Sequence, residues 1–181
     1  MNIINLEKYI FIEYLNEKIK REIIKLKKAH LIYSLKTNNN EGLKQFLQII
    51  NFAKKNKIPL YLMDNYKIAI RYKIEGIFLS SNNKSILPTS IKNRLKIIGS
   101  AHNQREYFIK KKQACEMISL SPLFYNNKYS VNKILQPLKF NLITNNWKVK
   151  ICALGGILET NKKKVQLTKA TAIGIKRFVL K

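Results

Sequence analysis

The most constraining feature of this sequence is a regular alternation of short apolar runs with longer amphipathic stretches. The apolar runs show no alternation of apolar and polar residues, which is typical of parallel strands buried on both faces. The predicted strands are residues 9–14, 30–35, 60–63, 76–79, 96–99, 117–120, 149–154 and 171–175. Each of them is followed by a stretch with helical spacing, except the last.

The stretches between the strands carry helix start signals. Asn40 and Asn103 are good N-cap residues, and Glu106 three residues after Asn103 completes a capping box. Ser130 is expected to cap another helix. The predicted helices are residues 16–28, 40–55, 66–73, 88–95, 103–114, 131–138 and 159–167. Strands that alternate with helices predict parallel βαβ units.

This pattern predicts an α/β fold, specifically a minimal (β/α)8 TIM barrel. Such barrels usually need ~200 residues or more, and this chain has 181 residues, which leaves no room for a full last helix. An open, doubly wound sheet is the alternative architecture. The sequence shows no internal repeat and no Gly/Ser linker, so residues 1–181 are expected to form a single domain.

The formal net charge of +25 is the most conspicuous compositional feature. It favours anionic partners in general, and a polyanion-binding basic protein is one interpretation. However, only five of the 35 basic residues are arginine, the side chain that specific readers of phosphates and bases prefer. The lysines are also spread along the whole chain. We therefore interpret them as solvated surface charges and do not expect a nucleic-acid partner.

The same sequence predicts a cytoplasmic protein without a membrane anchor. No apolar run reaches the ~20 residues of a bilayer span, and the first residues do not resemble a signal peptide. Cys115 and Cys152 lie far apart on apolar segments, without a CxxC motif. We expect both to be reduced, buried thiols.

Three segments in order carry a family signal: IIGSAHN at 97–103, SLSPLF at 119–124 and ALGGI at 153–157. They resemble the "IGVSxH", "GLGPIFPT" and "GIGGI" segments of the thiamine-phosphate synthase/TenI family. Upstream, residues 59–65 resemble its "PLIINDR" segment, and residues 75–79 resemble "DGVHLG". The resemblance covers about residues 30–176 and implies a (β/α)8 barrel that acts in thiamine biosynthesis.

The resemblance implies one of two chemistries. The synthase branch is a thiamine-phosphate diphosphorylase, a transferase that joins hydroxymethylpyrimidine diphosphate to thiazole phosphate with the help of Mg²⁺. The TenI branch tautomerises a thiazole, and its catalytic histidine falls near Ser121 and Pro122, where this chain has no histidine. Tautomerase activity by the family's route is therefore not expected.

A phosphate site is expected where the last two predicted strands end. Gly155 and Gly156 follow one of them, and Gly174 and Ile175 end the other. Barrel enzymes commonly hold a phosphate on main-chain N–H groups at these positions, and glycine permits the close approach. Lys176 would add positive charge. The alternative is that the glycine pair only forms a tight turn.

The resemblance also assigns roles to single side chains. Ser100 and Lys128 correspond to a serine and a lysine of the family's catalytic site. Lys36, Asp64, Asn65 and His102 fall at or next to positions that bind substrate in the family. Asn65 stands where the family has an arginine.

The metal site of the family is poorly matched. Met63 occupies the position of a family asparagine, and Asn83 occupies that of a Mg²⁺-binding aspartate, although an amide is a weaker ligand for Mg²⁺. Asp64 is the one aspartate of the sequence. A phosphate-ligand-binding paralogue without activity is therefore the alternative function. The short final segment also raises a homo-oligomer as an expectation, in which a partner subunit covers the barrel's side.

Overall fold

The computed structural model of the chain describes residues 6–35, 40–127 and 129–175. These residues form a closed barrel of eight parallel strands in sequential order. The strands are β1 (Glu7–Ile12), β2 (Ala29–Tyr33), β3 (Leu60–Met63), β4 (Gly76–Leu79), β5 (Lys96–Ala101), β6 (Met117–Leu120), β7 (Lys150–Leu154) and β8 (Ala172–Ile175). The predicted (β/α)8 barrel is confirmed, and the open sheet is excluded because β1 pairs with both β2 and β8.

Helices cover the outside of the barrel. They are α1 (Glu17–Lys25), α2 (Asn40–Lys55), α3 (Tyr66–Arg71), α4 (Thr89–Lys92), α5 (Gln104–Lys112) and α6 (Gln136–Thr144), with two 3-10 helices at Val131–Lys133 and Lys162–Leu167. Asparagine side chains cap three of them: Asn16 caps α1, Asn65 caps α3 and Asn103 caps α5. None of the helices in the described residues combines the length and the apolar character that a bilayer span requires.

Two predicted helices are wrong in type or place. The helix predicted over residues 131–138 is a 3-10 turn, and α6 begins five residues later than predicted, at Gln136. Pro137 explains the shift, because proline is favoured in the first turn of a helix. The helix predicted over residues 159–167 is the 3-10 helix Lys162–Leu167. Here the Asn161 side chain bonds the N–H of Leu158 and the carbonyl of Gly156, which holds the preceding residues in a turn.

The strands contribute side chains to two separate cores because successive side chains point to opposite faces of a sheet. One face packs against the helices and forms the larger core. The other face fills the barrel interior with Tyr9, Ile32, Tyr61, Phe78, Ile98, Met117, Cys152 and Ala172. The interior is thus a packed core, as in other barrels of eight strands.

Both cysteines are free and buried, as predicted. Burial raises the pKa of Cys115 and that of Cys152 to about 12. The two thiols are therefore protonated and unreactive at neutral pH.

Candidate functional site

The carboxyl ends of all eight strands meet at one rim of the barrel, where barrel enzymes place their active sites. Three strands, β1, β3 and β4, contribute apolar inward side chains near this rim. Phe11 of β1 and Met63 of β3 are only partly buried and lie on the interior core. Phe11 makes an edge contact with Phe78 of β4, with 5.1 Å between the ring centroids. Strands β1, β3 and β4 therefore offer an apolar, aromatic surface.

The inward positions of β5 and β6 at the rim are small and polar. Ser100 lies two residues after the interior residue Ile98 in β5, so it points to the same inward face. Ser121, just after β6, continues the inward alternation of that strand. They are 8% and 5% exposed. Within the described residues, no hydrogen bond uses the hydroxyl of Ser100. The predicted serine thus lies inside the rim, and its hydroxyl is not occupied by any described residue.

Gly155 and Gly156 form the turn after β7, with φ angles of +94° and +70°. The loop after β6 packs tightly on this turn, since the N–H of Phe124 donates to the Gly155 carbonyl at 3.0 Å. A Cβ at Gly155 would lie 2.9 Å from Pro122 Cα, and one at Gly156 would collide with the carbonyl of Phe124. Glycine is therefore required here for backbone conformation and close packing. The predicted phosphate role of the pair stays a prediction.

Gly174 lies inside the barrel rather than in an open turn. A Cβ at this position would lie 2.6 Å from Cδ1 of Leu154, so the glycine makes space for that leucine. Ile175 faces the opposite way and packs against the outer core. Only the main chain of these two residues is placed to serve a ligand, and the structure gives Gly174 a packing role that the sequence did not reveal.

Asp64 and the loop after β4 form a connected polar group. Oδ1 of Asp64 accepts the N–H of Ser80 and the side-chain amide of Asn83, both at 2.9 Å. Asn65, by contrast, accepts the N–H of Ile68 at 3.1 Å and caps α3. Asn83 and Asp64 are thus hydrogen-bonded to each other, whereas Asn65 caps a helix.

His102 lies just beyond the end of β5 and is held on both ring nitrogens. Nδ1 is 2.9 Å from a carboxylate oxygen of Glu106, and Nε2 is 3.2 Å from the hydroxyl of Tyr129. The same Glu106 oxygen accepts the N–H of His102 at 2.8 Å. The imidazole is therefore oriented at the rim. Sequence reasoning found Glu106 as a helix cap and missed Tyr129.

A buried lysine beneath the rim was missed altogether. Lys110 of α5 is 0% exposed, and its Nζ lies 2.6 Å from the carbonyl oxygen of Ser80 and 2.7 Å from that of Asn83. Burial lowers the pKa of Lys110 from its ordinary value. The available signal was positional: Lys110 follows Tyr107 by three residues and so shares its buried face.

Three lysines predicted for the site, Lys36, Lys128 and Lys176, lie outside the described residues. Their predicted roles in binding and catalysis stay predictions.

The side chains at Asn83 do not fit a Mg²⁺ ion. Mg²⁺ prefers octahedral oxygen ligands that include one or two carboxylates. Here one carboxylate is present, and its Oδ1 already accepts two hydrogen bonds. No group of three or more His, Cys, Asp or Glu side chains converges anywhere in the described ranges. The ammonium of Lys110 bound to the Asn83 carbonyl also disfavours a second cation nearby.

Two cavities open at the opposite, amino-terminal face of the barrel. One of about 510 Å³ includes Lys28, His30 and Pro59 in its lining, and one of about 490 Å³ includes Glu75 and Lys96. The residues at this face of a barrel usually serve stability, whereas chemistry is found at the other face. We therefore assign the candidate site to the carboxyl-terminal rim.

The fold and this rim define the class: a (β/α)8 barrel whose strand ends combine apolar, hydroxyl and glycine positions. The sequence profile described as thiamine monophosphate synthase matches residues 11–178. The chain belongs to this family. A comparison with curated protein sequences returns no significant match.

Solved structures support the same fold. Thiamine phosphate pyrophosphorylase from Pyrococcus furiosus matches with a TM-score of 0.76 and 16% identity, over 97% of this chain and 88% of that one. Thiamine phosphate pyrophosphorylase from Bacteroides thetaiotaomicron matches with a TM-score of 0.58 and 14% identity, over 94% and 82%. An HpcH/HpaI aldolase from Desulfitobacterium hafniense reaches 0.63 at 8% identity, over 96% and 86%. At such identities the likeness concerns the fold alone.

Proposed function

We propose that this protein acts in thiamine biosynthesis by binding a phosphorylated precursor, thiazole phosphate in the first place, at the carboxyl-terminal rim. Membership of the thiamine monophosphate synthase family supports this substrate class. We also propose that it does so in the cytoplasm, because two free, buried cysteines suit a reducing compartment.

The observation that carries the proposal is the division of the rim. At the rim, β1, β3 and β4 contribute the apolar inward side chains Phe11, Met63 and Phe78, of which the first two are partly exposed. Ser100 near the end of β5 and Ser121 just after β6 supply hydroxyls, and the glycine turn after β7 packs on the loop that follows β6. A flat heteroaromatic ring suits the first half, and a phosphate suits hydroxyl and main-chain donors in the second. Thiazole phosphate has both parts.

The reaction we propose joins this thiazole to hydroxymethylpyrimidine diphosphate. The bond between the pyrimidine methylene carbon and the diphosphate breaks, the diphosphate leaves with the bonding electrons, and the thiazole nitrogen takes the carbon. Positive charge near the departing oxygens stabilises this step. The net charge of +25 favours anionic substrates in the same way.

Calorimetric titration with thiazole phosphate tests the binding. We expect saturable binding that Ser100→Ala weakens by about tenfold, since a hydrogen bond to a charged group contributes ~1.5–3 kcal/mol. Ser90→Ala on the exposed face of α4 is the matched control and should bind like the wild type. Absence of saturable binding up to about 1 mM, equivalent to a free energy weaker than about −4 kcal/mol, would contradict the proposal.

A binding module without turnover is the second candidate. Asn83 in place of a carboxylate, and Asn65 engaged as a helix cap, favour it. Purified protein incubated with both precursors separates the two candidates. Product formation above the uncatalysed rate identifies the transferase, and tight binding of thiazole phosphate without product identifies the binding module.

A further inference from the structure

Lys110 carries a charge in a place where a charge is costly. Its side chain is 0% exposed beneath the rim, and a buried ammonium destabilises a protein unless all its donors are satisfied. Three oxygen atoms satisfy them: the carbonyls of Ser80 at 2.6 Å and Asn83 at 2.7 Å, and Oε1 of Gln113 at 2.9 Å. The ammonium is therefore a fixed cation with a complete set of oxygen partners.

Two of these partners belong to the rim loop after β4. Gln113, three residues beyond Lys110, donates to the carbonyl of Asn83 at 3.1 Å and to that of Ser85 at 2.9 Å. The two side chains thus hold the loop from below along most of its length. Since loops of this kind expose several carbonyl oxygens, they need such partners to adopt one conformation.

The loop in turn holds Asp64. The side chain of Asn83 and the N–H of Ser80 both donate to Oδ1 of this carboxylate at 2.9 Å. A continuous path of hydrogen bonds therefore links Lys110 to the rim. Its ammonium also offsets the negative charge of Asp64, so the loop does not repel an anion as a bare carboxylate would.

The strand next to α5 is adapted to the lysine. A Cβ at Gly99 would lie 2.9 Å from Cδ of Lys110 and 2.9 Å from Sγ of Cys115. The path of the side chain to the loop therefore depends on a glycine in β5.

We propose that Lys110 is a positioning residue that orders the loop after β4 in the way a bound metal ion would, and that a diphosphate anion binds at this rim without a divalent cation. Main-chain carbonyl oxygens, which commonly bind cations, here bind an ammonium supplied by the protein. The inference rests on the proposed function, since it concerns the same rim.

Titration of the wild-type protein tests whether diphosphate binds without a divalent cation. Inorganic pyrophosphate is titrated calorimetrically in buffer with EDTA and in buffer with MgCl2. We expect dissociation constants that agree within about threefold, a difference below ~1 kcal/mol. Binding that requires Mg²⁺ overturns the inference, and so does absence of pyrophosphate binding in both buffers. The thiazole phosphate titration shows separately whether the proposed function stands.

Lys110→Met, which keeps an unbranched side chain of nearly the same length and removes the ammonium, tests the role of Lys110. We expect pyrophosphate to bind at least about tenfold more weakly, and amide hydrogen exchange at residues 80–85 to be faster. Lys111→Met, on the exposed side of the same helix, should change neither. Unaltered pyrophosphate binding by Lys110→Met overturns the role of Lys110.

Chemical rescue tests whether the effect of Lys110 depends on its positive charge or only on the volume of its side chain. Lys110→Ala leaves room for a small amine, so added propylammonium should restore pyrophosphate affinity and slow exchange at residues 80–85, whereas propanol should not. Equal effects of the two compounds, or none from either, would show that the charge has no role. This variant also serves if the methionine variant does not fold.

Discussion

His30 is half-buried and has an incomplete set of hydrogen bonds. Its ring stacks on Tyr9 inside the barrel, with 4.5 Å between the centroids. Its buried Nδ1 has no hydrogen-bond partner among the described residues. Burial lowers the pKa of His30, since the charged form loses its solvation. The folded protein therefore holds this histidine neutral where the unfolded chain protonates it.

The consequence is a loss of stability in mild acid. Because the folded pKa of His30 lies below the unfolded value of about 6.5, the unfolded state binds more protons as the pH falls below that value. We expect the free energy of unfolding to decrease from about pH 7.5 to about pH 5.5, and His30→Phe to reduce this decrease. Denaturant unfolding of both proteins at the two pH values measures it. The same pH dependence in both would show that other groups cause the loss.

Gly156 gives a second prediction at this scale. Its φ of +70° is strained for any side chain, and a Cβ would collide with the carbonyls of Phe124 and Tyr125. We expect Gly156→Ala to lower the free energy of unfolding by about 1–3 kcal/mol. Gly42→Ala, at a helical position in α2, is the control and should stabilise by about 0.5–1 kcal/mol. Thermal unfolding of both variants decides, and a neutral Gly156→Ala would mean that the turn differs in solution.

Single residues also show where sequence reasoning succeeds and fails for a site. Ser100 and Asn83 were singled out by the family resemblance of the segments around them, and their predicted roles stay predictions. Lys110 was not found, since its partners Ser80 and Asn83 lie about 30 residues away. Contacts of that kind depend on the closed barrel and leave no local signal.

At the scale of elements, the strands and the capped helices were predicted well. Short apolar runs and asparagine caps are local signals, and Asn103 capping α5 is an example. α6 was misplaced because it has little amphipathic character. Leu138 and Leu142 on its outer side are 73% and 69% exposed, whereas Phe140 is fully buried. With apolar residues on both sides, the periodicity that marks a helix is absent.

This arrangement of α6 predicts unequal effects of substitutions two residues apart. Leu138→Gln and Leu142→Gln should each change the free energy of unfolding by no more than about 0.5 kcal/mol, as expected for surface sites. Phe140→Ala should lower it by about 3–5 kcal/mol through loss of packing and the cavity left behind. Guanidinium unfolding measures all three. Costs of similar size for the leucine and phenylalanine variants would contradict the orientation of α6.

At the scale of the whole molecule, the barrel closes only when its first and last strands pair. β1 pairs with β8, so residue 7 and residue 175 belong to one sheet. The number of strands predicted this closure from the sequence. Charge, by contrast, had no bearing on the fold, and its effect is expected in stability and in association with anions.

A formal charge of +25 on 181 residues predicts that salt stabilises the folded state. Folding brings the cations closer together, and raising the ionic strength from about 0.02 M to about 0.5 M shortens the screening length from roughly 20 Å to below 5 Å. We expect the unfolding midpoint to rise over this range. Lys18→Glu combined with Lys44→Glu should raise it at low salt and reduce its salt dependence. Both lysines are exposed, and Lys18 lies in the first turn of α1, where a carboxylate is favoured. Scanning calorimetry at several NaCl concentrations tests this, and a midpoint that is independent of salt in the wild type would mean that the cations are too well solvated to repel one another measurably.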